Sequence, residues 1–518
     1  MDKWDPTAVL PWELGEPAQV PPLSGGSMEW RPPRGETPAG SLVAGADRAG
    51  FTMRRFARWL REAEVLDQGP IDLAGASVML PHGMRMMRRF DAIVRRAYEL
   101  RGYEEYDYPL LVPDSVLEPS RGVISLDKAL IFAGDDIDWA EGRKRMVLTP
   151  TGEGAVYTHW ARLVRTRRDL PIRTYRHTKY FRPTRSGRSV FRAIEASDIY
   201  EFQACFADRV SAAEGFAVGL AMAREVCAAV HVPVLWGTRP PWTNNTGVAE
   251  ATVGGDVPLP TGSTLQVSSV YRQGQRFSRL YGVGYREGGQ LHHTHHVTGA
   301  LSRRLVLVHL LLGMDADGAL VVHPDLAPTE VALTLAGGDP AERTAAEALA
   351  ARLISGGVRC ELVITADRKE VGRLHRRWHR QGVPIRVYLQ PRRTVNERTR
   401  AVVVRADTRE EAVLLTDDLA PLAELLPTAV KEVGVGYLAR TRGFVRGQCQ
   451  PVDKGTIREV LTERAVAVAP LSATREAVEA VASWGLGEVL SLRRAEEPSP
   501  CVITGEPTYT VAYVSPRM

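Results

Sequence analysis

Three arginines, a threonine and a glutamate offer the most direct chemistry in this sequence. Arg182, Arg185 and Arg188 stand in the run RPTRSGRS, between two apolar stretches rich in β-branched and aromatic residues. Residues 146–208 therefore read as two antiparallel strands joined by a basic hairpin loop. An arginine that closes a strand holds its planar fork at a fixed place, which suits Arg182 to bidentate contact with a phosphate. Upstream, TPTGEG sets Thr151 and Glu153 two residues apart, and on a strand both would face the same way. A carboxylate beside a phosphate-binding arginine is what a site needs to hold an amino acid's ammonium next to ATP. The same stretch would also serve as an arginine-rich surface hairpin with a buried threonine, and by itself it leaves both readings open.

The elements that must position these groups belong to a long chain of ordinary composition. Its 518 residues predict two to four domains, and 44% apolar with 25% charged residues is a soluble globular balance. The formal net charge is +5, which permits a polyanionic partner such as RNA or a nucleotide without requiring one. Cys205, Cys227, Cys360, Cys449 and Cys501 are odd in number, widely spaced and without a CxxC pair, a pattern of a reducing compartment. No apolar run approaches the roughly 20 residues that span a bilayer, and the first thirty residues lack signal-peptide regions. A cytoplasmic protein without membrane contact is expected.

Residues 1–49, dense in proline and glycine, predict a disordered tail. The catalytic candidates then sit in 50–325, with amphipathic helices expected at about 82–100 and 210–230 and mostly antiparallel strands between and after them. From 326 to 428 the pattern alternates βαβαββα, with helices expected at 340–356, about 367–381 and about 410–426: a separate α/β domain. A smaller unit, 429–518, mixes a helix with short strands.

Specific motifs now gather on this frame. PLLVP with Pro109, TPTGEGAVYTHW, RDLPIRTY, YFR, FRAIE and GALSRR occur in the order of the class II motifs, followed by DLAP, QGVPIR and VVRADT. Over about 50–518 the chain resembles a prolyl-tRNA synthetase of the archaeal and eukaryotic form. The resemblance implies an α+β and α/β multidomain fold: a class II antiparallel sheet flanked by helices, an anticodon-binding-like α/β domain and a small α+β C-terminal domain. It implies ATP and Mg²⁺ as cofactors and a homodimer. By it, Arg182 contacts the α-phosphate and the amino-acid carboxylate, Arg192 holds the bent triphosphate, and Arg303 stacks on adenine and reaches the γ-phosphate. Gln266, with Ser269 beside it, matches a position near the triphosphate and Mg²⁺. Thr151, Glu153 and Glu201 match residues around the proline imino group.

The departures are as informative. Arg182-Pro183-Thr184 replaces the family's Arg-x-Glu, Tyr271 stands where a pocket histidine is expected, and VTGALSR puts Leu301 at a normally hydroxylated position. Such changes predict a rebuilt amino-acid pocket beside retained triphosphate arginines. Two cysteines, Cys449 and Cys501, replace the family's four zinc ligands, and two thiolates do not close a structural zinc site. The helix carrying RLHRRWHR has exchanged an acidic face for a basic one that phosphates would suit. HHTHH (His292, His293, His295, His296) invites a metal reading, but on a strand His293 and His295 share one face while His292 and His296 line the other, so no metal site is expected. GGDVPLPTG is expected to be a loop that cradles no phosphate. Three functions follow: an enzyme that adenylates proline and charges tRNA, a diverged paralogue that passes an activated amino acid to a small molecule or carrier, or an inactive binding protein that keeps the fold.

Overall fold

The computed structural model describes residues 28–32 and 51–516, except 70–75, parts of 122–145, 184–189, 192–194, 243–247, 393–396 and 417. Helix α1 (Met53–Glu62) buries Phe56, Trp59 and Leu60, spaced i, i+3, i+4, and the Thr52 hydroxyl accepts the Arg55 N–H to cap it. Helix α2 (Pro81–Glu99) opens on proline, presents Met86, Phe90 and Val94 along one face, and is followed by Gly102 at φ 73°. Strand β1 (Glu104–Glu105) and helix α3 (Glu153–Leu163) come next. The expected hairpin is present as β2 (Ile172–Phe181) and β3 (Glu195–Phe206), paired antiparallel. Helix α4 (Arg209–Ala229), capped by Asp208, leads to β4 (Leu235–Thr238), β5 (Ala251–Pro258), β6 (Thr264–Gly274), β7 (His295–Ser302) and α5 (Arg304–Gly313). GGDVPLPTG is thus mostly strand: β5 is paired on both sides, and only its end turns into β6.

Strand register puts a polar row across one face of this sheet. Arg176 of β2 pairs with Glu201 of β3, Glu201 with Ala300 of β7, and Ala300 with Ser269 of β6. The next row is Thr174, Gln203, Thr298 and Tyr271. Alternation sends Tyr175, Tyr200, Phe202 and Leu301 to the opposite face, into the core with α2 and α4. There Phe90 meets Tyr200 edge-on at 5.4 Å, and Tyr98 meets Phe202 at 5.7 Å. Gly219 of α4 makes room for Phe202, whose ring a Cβ there would approach to 2.6 Å.

A second sheet follows: β8 (Val331–Ala336), α6 (Pro340–Ser355), β9 (Cys360–Thr365), α7 (Arg368–Gln381), β10 (Ile385–Gln390), β11 (Thr399–Arg405) and β12 (Glu411–Thr416), in the order β9-β8-β10-β11-β12. The helix expected at about 410–426 is corrected here. Residues 411–416 instead pair antiparallel along β11, because EAVLLT sits beside an apolar strand with an open edge. The helix starts later, as α8 (Leu422–Gln448), and its 27 residues run through the expected boundary at 428/429. Beyond it are β13 (Cys449–Pro451), β14 (Val466–Pro470), α9 (Arg475–Ser483), β15 (Gly487–Pro500) and β16 (Pro507–Pro516). The last two strands, of 14 and 10 residues, are long rather than short. Through Thr238 opposite Leu492 they extend the first sheet to eleven strands, β13-β14-β16-β15-β4-β5-β6-β7-β3-β2-β1.

Of the tail expected at 1–49, residues 28–32 are described, and they pack on the second sheet. Met28 is buried in the second core, Arg31 bridges Glu411 of β12, and the Trp30 indole donates to Glu432 at 2.9 Å. No helix among the described residues is long and apolar enough to cross a membrane.

Candidate active site

The polar face of the first sheet floors a cleft of about 1030 Å³, and every described residue of the predicted site borders it. Arg192 lies outside the described residues. Thr151 and Glu153 do not share a strand: Gly152 turns the chain into α3, of which Glu153 is the first residue. They still meet, because the Thr151 hydroxyl donates to the Glu153 carboxylate. Burial, with Glu201 nearby, raises the Glu153 carboxyl above its ordinary 4.5. Gly152 is required for proximity, since a Cβ there would fall 2.0 Å from both Arg176 Nη2 and Glu201 Oε2.

Glu201 is the most heavily held carboxylate in the cleft. Its Oε2 accepts Arg176 Nε at 3.2 Å, Arg176 Nη2 at 3.0 Å and Gln203 Nε2 at 3.0 Å, together with the Tyr180 hydroxyl. All four bonds converge on one oxygen, and Oε1 has no hydrogen-bond partner among the described residues. Arg176, Tyr180 and Gln203 are functional neighbours that the motif reading passed over. Their signal was present: Arg176 and Tyr180 stand at even spacing on β2, with Arg182 two residues beyond, so the three project to the same side of the sheet.

Arg182 follows the end of β2. Its Nε donates to the Pro150 carbonyl at 2.8 Å, which fixes the fork, while Nη1 and Nη2 have no hydrogen-bond partner among the described residues. Arg303 caps α5, with its backbone N–H on the Asp198 carbonyl at 3.1 Å and its Nη1 3.7 Å from the Asp198 carboxylate. Burial lowers its pKa, though Asp198 and Glu195 oppose this. Asp198 itself is held at φ 51°, a left-handed conformation uncommon for aspartate in a strand. Gln266 donates to the Ser269 hydroxyl and accepts Arg239 Nη2 at 3.3 Å. Arg239 is in turn bidentate on Asp256, at 2.6 and 2.9 Å, and donates to the Leu490 carbonyl of β15 at 2.7 Å. The C-terminal strands therefore brace this wall, a link that no local motif announces.

One predicted position keeps its place and another changes meaning. Tyr271 faces the cleft, paired with Thr298 across the sheet. Leu301 borders the cleft, but its side chain lies in the core on the other face, 2% exposed, and Ala300 takes the cleft-facing place. The histidine run does not act as one ligand set. His296 is fully buried, its pKa is lowered to about 3 by burial, and its Nε2 lies 2.9 Å from the Thr294 hydroxyl. Cys449 and Cys501 lie in different hydrophobic clusters, so their thiols do not converge. The donor set suits a triphosphate-borne Mg²⁺: Glu195 and Gln266 bring oxygens to the cleft, and Mg²⁺ binds through one or two carboxylates plus phosphates.

No protein-family model matches the chain. It is 30% identical to the proline–tRNA ligase of Methanothermobacter thermautotrophicus over 429 residues, covering 79% of this chain and 84% of that one. It is 28% identical to the enzyme of the same name from Methanopyrus kandleri over 469 residues, 88% and 94% of the two chains. Among solved structures, the Giardia lamblia prolyl-tRNA synthetase in complex with prolyl-adenylate superposes with a TM-score of 0.78 at 17% identity, covering 92% of this chain and 99% of that one. The Cryptosporidium parvum prolyl-tRNA synthetase complexed with halofuginone and AMPPNP gives 0.77 at 18% identity, covering 89% and 94%. The fold is that of a class II synthetase, and the chain belongs to the prolyl-tRNA synthetase family.

Proposed function

We propose that this chain activates proline or an analogue with ATP as an aminoacyl-adenylate and passes the acyl group to an acceptor. The observation that carries the reading is one cleft bordered both by Arg182, whose Nη1 and Nη2 have no hydrogen-bond partner among the described residues, and by the carboxylates Glu153 and Glu201. Glu153 and the open Oε1 of Glu201 hold the substrate's positively charged amine. Arg182 brings the substrate carboxylate to the α-phosphate. A carboxylate oxygen then attacks phosphorus, the bond to the bridging oxygen of pyrophosphate breaks, and pyrophosphate leaves with that electron pair. Arg182 and Arg303 stabilise the charge that builds on the phosphoryl oxygens, fixed in place before the reaction begins. Glu195 and Gln266 are the residues that would hold Mg²⁺, which when bound neutralises phosphate charge. An acceptor hydroxyl or amine next attacks the carbonyl carbon, and AMP departs.

The names of the relatives favour tRNA as the acceptor; that the chain acts as a cytoplasmic homodimer is part of the same proposal and rests on the family resemblance. A second acceptor class, a small molecule or carrier protein served by a diverged paralogue, is favoured by Tyr271 and Thr298 in the amino-acid pocket. ATP–pyrophosphate exchange without tRNA tests the first half reaction, and charging of total tRNA tests the second. Exchange with proline or an analogue is expected. No exchange with any amino acid by folded, ATP-binding protein would reassign the chain to a binding role.

A further inference from the structure

The far end of the amino-acid pocket is polar where a plain hydrocarbon ring would meet apolar walls. Past the row that holds Glu201, Ala300 and Ser269, the next residues on the same faces are Gln203, Thr298 and Tyr271, about 6.6 Å further along the strands. Beyond Tyr271 on β6 stands Gln273, which borders the cleft and is 2% exposed. Its Oε1 accepts the hydroxyl of Tyr157, which lies one turn along α3 from Glu153. The other end of the Gln273 amide has no hydrogen-bond partner among the described residues, and neither has the Tyr271 hydroxyl. Thr298 is not in the same position, since its hydroxyl is spent on the Phe202 carbonyl at 3.0 Å. A nine-tenths-buried amide thus offers unmet hydrogen-bonding capacity to the cleft, and a phenol borders the same cleft one position earlier on that face of β6, where a bound substrate that left them unmet would be costly.

We propose that the substrate is a cyclic imino acid carrying a hydroxyl on its ring, recognised by Gln273 and Tyr271. This rests on the adenylation reading above and adds the substrate class to it. With the amine at Glu153 and Glu201, the ring extends toward the second row, and a ring hydroxyl reaches the polar end. A hydroxyl both donates and accepts, so it satisfies Gln273 in either orientation of its amide. A site built around such a bond rejects the analogue that lacks the hydroxyl, because its own polar groups are then left unpaired.

The test is ATP–pyrophosphate exchange with proline, the cis and trans 3- and 4-hydroxyprolines, and 4-methylproline as an apolar ring of similar size. One hydroxylated isomer is expected to exceed both proline and 4-methylproline in kcat/KM by about tenfold or more. Tyr271→Phe and Gln273→Met should each lower that ratio by about tenfold, the first on a half-buried residue that leaves the core untouched. Proline outpacing every hydroxylated isomer would overturn the inference and leave adenylation standing. So would a preference that neither variant changes. No exchange with any of these would overturn both the substrate class and the adenylation reading beneath it.

Discussion

Arg303 tests the triphosphate half of the site. Its guanidinium is largely buried beside Asp198, and removing a preorganised cation of this kind typically costs about 10²–10³ in rate. Arg303→Ala is expected to lower ATP–pyrophosphate exchange by about that factor while circular dichroism stays unchanged. Exchange at the parent rate would show that this arginine does not contact the nucleotide. Glu153 tests the other half. Its raised carboxyl means the folded protein keeps a proton over a range where the unfolded chain has released it. Its contribution to stability is therefore fullest at low pH and declines as pH rises through the raised value. Amine binding runs the opposite way and strengthens as that proton leaves. The KM for the imino acid should fall as pH rises through a midpoint above 4.5, and Glu153→Gln should flatten that profile and raise KM. At this scale the sequence was legible in position where a motif fixed the residue, as for Arg182 and Arg303, which both border the cleft. It misplaced Leu301 by one position, because which side of β7 faces the cleft depends on register with β3 and β6.

Helices with an amphipathic period were read to within a residue or two, since α2 and α4 need only their own spacing to declare a buried face. The stretch 411–416 was misread because short apolar runs fit either state, and the neighbour that decides it, β11, supplies a paired edge. Within the proline-rich stretch, residues 28–32 are the described part, and their packing was not legible for a related reason. Its composition argues disorder, but Trp30 finds a partner far along the chain in Glu432 and a cation in Arg405, 5.1 Å from the ring centroid. Residues 28–32 thereby lengthen the edge of the second sheet at Glu411. Trp30→Ala should cost about 2 kcal/mol, less than a fully buried tryptophan, and be read as a lower urea midpoint. An unchanged midpoint would mean that the segment adds nothing to the stability of that sheet.

Across the whole molecule, the basic face of α7 shows how far composition reaches. RLHRRWHR reads as a surface for phosphates, yet Arg377 makes a fork-to-fork pair with Glu64 at 2.7 and 2.6 Å, and Arg380 meets Glu62 at 2.7 Å. Both glutamates lie in or just after α1, more than 300 residues away in sequence. Two of the helix's cations therefore clasp the second sheet to the body that carries the cleft, which leaves Arg368, Lys369, Arg373 and Arg376 as its candidates for an RNA backbone. A double-mutant cycle separates these roles. The pair is partly exposed, so its coupling should be modest, about 0.5–1 kcal/mol for a bidentate geometry at low salt. Arg377→Glu and Glu64→Arg should each lower the denaturation midpoint, and the two together should recover most of the loss. If tRNA binds, Arg377→Ala should leave the salt dependence of its affinity unchanged, whereas Arg376→Ala should reduce the slope by about one charge. A reduced slope for Arg377→Ala would instead mean that the clasp opens when RNA binds, so that the arginine serves both partners in turn.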